Sequence, residues 1–260
     1  MRHEGGFRIS FCLAVLLWAA PAMAQALEPK PPLVGLDETD RLLVESGMKL
    51  FEEARLSLWN NTEPHSVILE TLGQSSSLFG RVSDEAARDY LNARVELNAG
   101  RAILGAGDEG DARKRFQLAM DLSESSLQAK DSSEAWRVRA DAGSSWMLTK
   151  GLGGIIRMAP KVAEWSDQSL ISDPGNALAI IISSQGQINA PKAAGGDPDA
   201  AVRRLEALIL RDDLDNIERF WGRVSLAAAY EKSGRSGEAE RLCRSASEIF
   251  PENPMVQDCP

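Results

Sequence analysis

The chain has 260 residues, 43% hydrophobic, 26% charged and 6% aromatic, a balance that fits a folded globular protein and excludes collagen-like, low-complexity and multi-span membrane classes. Its 29 Lys plus Arg face 38 Asp plus Glu, a formal charge of −9, which argues against nucleic acid or an anionic lipid surface as the main partner.

Residues 1–24 read as a secretory signal peptide. Arg2 and Arg8 precede an apolar run from Ile9 to Ala20, and Pro21 and the small-x-small triplet Ala22-Met23-Ala24 follow. That run is about twelve residues long, where a membrane span needs roughly twenty. Cys12 does not fit a lipid-attachment site, because Phe11 stands where a small residue is required. Cleavage near Ala24 leaves 27 basic and 37 acidic residues, with periplasmic or secreted destinations as the expectation and no membrane span. Of the cysteines only Cys243 and Cys259 then remain, sixteen residues apart, as a disulfide candidate; the alternative is two free thiols. The sequon Asn60-Asn61-Thr62 matters only in a eukaryotic secretory route.

Residues 25–37, with Pro29, Pro31 and Pro32, read as an extended lead-in. From there to 251 the apolar spacing is helical, and no segment alternates like a strand. In the first segment Leu42, Leu43, Ser46, Leu50, Ala54 and Leu58 form the expected buried stripe. Breakers at Pro64, Ser83-Asp84, Gly107-Asp108, Asp131-Ser132-Ser133, Pro160, Asp173-Pro174, Gly195 to Pro198, Asp215-Asn216, Gly234 and Pro251 divide the rest. The count is about ten helices in five antiparallel pairs, with 252–260 a C-terminal tail.

Gly100, Gly107, Ala112 and Ala119 recur 127 residues later as Ala227, Gly234, Ala239 and Ala246. Small residues at matched offsets let two helices of a hairpin nest where a small side chain faces a bulky one. This pattern resembles the tetratricopeptide repeat, best in the segment from Trp221 to Pro251, although Cys243 replaces the expected aromatic there. The resemblance implies an all-α, right-handed stack of helix pairs with a concave face formed by the first helix of each pair. An insert, Asn189 to Pro198, and a related string, Met158 to Val162, each expected to start a helix after a loop, are similar to exported repeat proteins that include the T-components of TRAP transporter systems. That likeness implies a transport accessory with a small apolar ligand held near Ala177 to Ile182 and the insert.

The string Gly105-Ala106-Gly107-Asp108-Glu109-Gly110 matches a dinucleotide-binding spacing but follows a helix and carries two carboxylates that repel pyrophosphate, so it reads as a turn. Gly151-Leu152-Gly153-Gly154 lacks the last glycine of that pattern. His65 opens a helix after Pro64 and reads as a solvated first-turn residue. Asp212-Asp213-Leu214-Asp215 lacks calcium-loop spacing and reads as a polar loop. No catalytic residue, metal site or cofactor is expected. Trp146 and Trp165 read as core, whereas Trp136 and Trp221 lie near the starts of first helices and are candidates for the groove. Arg94 and Arg101 share a helix face, as do Arg137 and Asp141, and the arginine pair suits an acidic peptide, the alternative being a solvated surface. The leading expectation is an envelope scaffold or adaptor with an open polar groove for a protein or peptide. An enzyme would need His65 beside a carboxylate and a serine hydroxyl.

Overall fold

The computed structural model describes residues 30–257, so the expected signal peptide, the first five residues of the lead-in and Cys259 lie outside the described residues. Ten helices form five consecutive pairs: α1 (Glu38–Asn60) with α2 (His65–Phe79), α3 (Glu85–Gly105) with α4 (Glu109–Ala129), and α5 (Ser133–Leu148) with α6 (Gly151–Ser172). They continue with α7 (Ala177–Asn189) and α8 (Pro198–Ile209), then α9 (Asn216–Lys232) and α10 (Ser236–Ser247). A single turn, α11 (Pro254–Gln257), lies in the tail, and no strand occurs among the described residues. Each first helix also touches the first helix of the next pair, so α1, α3, α5, α7 and α9 line one common face.

Local chemistry sets where these helices begin. Every first helix opens on a capping side chain, Asp37, Asp84, Ser132, Asn176 or Asp215, that accepts a hydrogen bond from a backbone N–H three residues on. Asp215 completes a capping box with Glu218. Gly107 and Gly234, the matched pair of the 127-residue offset, both adopt the left-handed backbone of a hairpin turn, at φ 91° and 74°. Asp40 ties the first pair to the second: its carboxylate accepts from Ser83 N–H (2.8 Å), Ser83 Oγ–H (2.7 Å) and Asp84 N–H (3.0 Å). Burial opposes its charge, but these three bonds outweigh burial and hold the carboxyl below its ordinary range.

The pairing of small with bulky residues is explicit. A Cβ at Gly100 would lie 2.5 Å from the Phe116 ring, and one at Gly143 would lie 2.9 Å from Val162 and 3.0 Å from Trp165. Gly47 meets Phe79 in the same way. Ala112, Ala119, Ala239 and Ala246 are fully buried at the facing positions of α4 and α10.

Three local expectations are corrected. The buried stripe of α1 is Val44, Gly47, Phe51 and Ala54, while Leu42 is 59% exposed and Ser46 lies in solvent, because the stripe follows the seat of Phe79 on Gly47. Pro160 does not start a helix; α6 runs through it, with the proline on the solvent side, where water can take the backbone acceptor that the missing N–H leaves free. The described part of the lead-in is not extended but runs as turns, with Lys30 paired to Asp173 (3.0 Å) and the Val34 carbonyl accepting from Lys130 Nζ (3.0 Å).

The nesting makes a sharp contrast testable by thermal melting. Gly100→Ala should cost about 1–3 kcal/mol through overpacking, and adding Phe116→Leu should recover part of it. Gly73→Ala, with open space around a helical position, should be neutral or stabilise by up to about 1 kcal/mol.

Candidate functional site

Positions three and four apart on the first helices turn toward the axis of the stack. Phe51, Arg55 and Trp59 of α1, Arg94, Asn98 and Arg101 of α3, Arg137 and Asp141 of α5, Leu178 of α7 and Trp221 of α9 surround a cavity of about 30 Å³. That is room for one or two waters, so the expected open groove is corrected: the concave face is filled by its own side chains.

The filling follows from closure of the stack. Trp59, at the end of α1, packs its ring on Phe220 (centroids 5.8 Å), Trp221 (5.9 Å) and Phe250 (6.4 Å) in the last hairpin. Asn253 Nδ2 donates to the Trp59 carbonyl at 2.7 Å, and Arg55 Nη2 donates to Asp215 at 2.5 Å. The first hairpin therefore seats against the last along a seam of four aromatic rings and one ion pair.

The arginines of the axis are held by carboxylates, Arg94 and Arg101 by one on a neighbouring helix and Arg137 by one on its own helix. Arg94 donates to Glu52 (3.1 Å) and lies over the Phe51 ring at 4.4 Å. Arg101 donates to Asp141 (2.5 Å), with its guanidinium 5.9 Å and 5.6 Å from the Trp59 and Trp221 rings. Arg137 donates to Glu134 (2.8 Å), which also accepts from Tyr90 Oη (3.2 Å) and Asn176 Nδ2 (2.8 Å). Burial works against the Glu134 charge, but Arg137 and Arg94 overcome it and hold the carboxyl down to about 2. Burial also disfavours the Arg137 cation, and the Glu134 carboxylate more than offsets it, raising that guanidinium. Glu218 goes the other way: burial and the adjacent Asp215 push its carboxyl up. Asn98 Oδ1 and Arg137 Nε are buried without a protein hydrogen-bond partner, which makes the cavity polar.

Of the residues singled out in the sequence, Arg94, Arg101 and Trp221 converge on this cavity, with Arg137 and Asp141 beside them. Trp136 does not; its Nε1 donates to Asp131 (2.7 Å) and its ring lies near Arg139 (5.9 Å). Trp221, at 7% exposure, is a buried wall and not an exposed anchor. Trp146 and Trp165 are buried, the latter against Gly143 and under Arg139 at 4.5 Å. His65 is half-buried against Gly105, not solvated. Gly107-Asp108 forms a hairpin turn in which Asp108 caps α4, and the acidic string 212–215 is a loop that ends in the Asp215 cap. No group of three His, Cys, Asp or Glu among the described residues is placed to hold a metal ion. Cys243 is buried on α10. Sequence reasoning missed Arg55, Trp59 and Asn98; the spacing of Arg55 from Phe51 and Trp59, four residues each way, was the one local signal that they share a face.

The fold has a solved counterpart. The chain is similar to TTC0263, a thermophilic TPR protein of Thermus thermophilus, at a TM-score of 0.51 and 14% identity over 84% of this chain and 95% of that one. It is also matched to YrrB, a TPR protein with an unusual peptide-binding site, at a TM-score of 0.40 and 12% identity over 85% and 97% of the two chains. No protein-family model matches the sequence, and no curated protein does. The first of these likenesses, together with the stacked pairs, makes the fold a tetratricopeptide-like helical solenoid.

The Glu134 network predicts an acid response. Its folded pKa lies below the ordinary carboxyl value of 4.5, so its contribution is complete above about pH 4.5 and is lost as pH falls toward 2. Chemical denaturation from pH 6 to pH 2 should show wild-type stability falling across that window. Glu134→Gln should be weaker at pH 6 and show a shallower fall; an unchanged slope would contradict the assignment.

Proposed function

We propose that the protein is an exported adaptor of the cell envelope that acts by binding a protein partner or peptide and performs no catalysis. The observation that carries this reading is the convergence of four arginines, Arg55, Arg94, Arg101 and Arg137, with Trp59 and Trp221 on the axial face of a helical-repeat stack. Exposure decides which of those arginines can change partner. Asp141 and Glu134 are 3% and 21% exposed at the side chain, so Arg101 and Arg137 stay paired inside. Glu52 and Asp215 are 36% and 39% exposed, so an acidic segment of a partner can compete with these two carboxylates for Arg94 and Arg55. Because Arg55 also latches the seam through Asp215, that competition loosens the first hairpin from the last and gives the segment access to the axial face.

Export rests on residues 1–24, and the same reading pairs Cys243 with Cys259 across the tail, a loop short enough to add roughly 3 kcal/mol. We do not extend it to a TRAP-type accessory with a small apolar ligand. The axial cavity takes in Leu178 of the helix where such a ligand was expected, but it measures about 30 Å³, is ringed by arginines, and includes no residue of the 189–198 insert.

Two measurements test the reading. The immobilised mature chain should capture a protein from an envelope extract, and Arg94→Glu, checked for folding by its melting curve, should reduce that capture by about tenfold or more; absence of capture, or capture indifferent to Arg94→Glu and Arg55→Glu, would refute it. Thiol titration of the denatured, unreduced mature chain should find no free thiol, and two per chain would remove the bridge.

A further inference from the structure

The turn joining α5 to α6, Thr149-Lys150, is flanked on both sides by exposed aliphatic side chains. Helix α6 already buries a full stripe, Gly154, Met158, Val162 and Trp165. Its solvent side is apolar as well: Leu152 is 73%, Ile155 44% and Ile156 69% exposed, and Leu148 at the end of α5 is 75% exposed. Four large aliphatic side chains within nine residues form a patch, unlike the scattered exposed leucines found on any surface.

Within the chain segment that carries the patch, the charges have one sign. Between Ala142 and Ala163 there is no Asp or Glu, and the charged residues are Lys150, Arg157 and Lys161. All three are exposed and none makes an ion pair among the described residues; Lys150 Nζ rests 5.6 Å from the Trp146 ring. A chain of net charge −9 thus carries three basic and no acidic residues over this segment. Side chains that stand almost fully clear of the surface offer no concavity to a partner helix. A lipid headgroup layer needs none, since it accepts protruding Leu and Ile and rewards adjacent Lys and Arg with its own negative charge. No helix among the described residues is long and apolar enough to cross a membrane, so the contact is peripheral.

We propose that the α5–α6 tip docks on an anionic membrane surface, with Leu148, Leu152 and Ile156 entering the headgroup boundary and Lys150, Arg157 and Lys161 lying on the lipid phosphates. The tip uses none of the axial arginines, so its test is independent of partner capture.

The experiment is co-sedimentation of the mature chain with vesicles of equal parts phosphatidylglycerol and phosphatidylcholine, and with phosphatidylcholine alone. Binding should occur to the anionic vesicles, weaken in high salt, and be about tenfold or more weaker on neutral ones. The double variants Leu152→Asp/Ile156→Asp and Lys150→Glu/Arg157→Glu should each lower it by about tenfold or more, while keeping the wild-type melting curve. Ile171→Asp, at an equally exposed aliphatic near the far end of α6 (72%), should bind as wild type. No vesicle binding, equal binding by the charge-reversed variant, or an equal loss in Ile171→Asp would overturn the proposal. So would loss of protein capture by Leu152→Asp/Ile156→Asp without any vesicle binding, which would make the patch a protein interface.

Discussion

Trp59 seated among Phe220, Trp221 and Phe250 is the contact on which the shape of the molecule depends. A stack of helix pairs is quasi-one-dimensional, since each pair contacts only its neighbours and the ends know nothing of each other. Here the indole of the first hairpin lies in an aromatic wall of the last, and Asn253 closes a hydrogen bond across 194 residues of chain. Truncating a buried Trp typically costs about 3–5 kcal/mol, a large share of a domain's net stability of roughly 5–15 kcal/mol. The ends are therefore coupled, and the concave face becomes an interior.

That interior explains the choice of side chains along the axis. Arginine beneath aromatic rings gains from the ring faces while its fork satisfies carboxylates on the next helix, as Arg101 does between Asp141 and the two tryptophans. Such pairs contribute little net stability compared with apolar packing, yet breaking one leaves an uncompensated buried charge. Their value lies in fixing which helix faces which; the carboxylates of two pairs, Arg94 with Glu52 and Arg55 with Asp215, are the more exposed.

Much of this fold is local and therefore legible in the sequence. Gly107 and Gly234 mark hairpin turns because only a left-handed backbone closes them, and Asp84, Ser132, Asn176 and Asp215 mark helix starts by capping free N–H groups. The failures share one cause, a tertiary partner that no short window contains. The buried stripe of α1 is displaced because Phe79, 32 residues on, selects Gly47. Pro160 reads as a breaker, but its place on the solvent side of α6 makes it tolerable. Arg94 and Arg101 are visible in the sequence as one face of a helix, and Trp221 by its place near the start of a first helix, whereas Arg55 and Trp59 acquire meaning only from Asp215 and Phe220, about 160 residues away. Trp136 shows the opposite error, a large aromatic near a helix start that is satisfied by its own Asp131.

The closed stack is tested most directly by proton–proton contacts between the ends of the chain in solution. Selectively labelled tryptophan and phenylalanine should give nuclear Overhauser cross-peaks from the Trp59 indole to the Phe220 and Phe250 rings, whose centroids lie 5.8 Å and 6.4 Å away, and Arg55→Ala should weaken them. A folded protein in which Trp59 shows contacts only to its own hairpin and the next would mean an open stack, and with it an exposed groove in place of the arginine-lined interior.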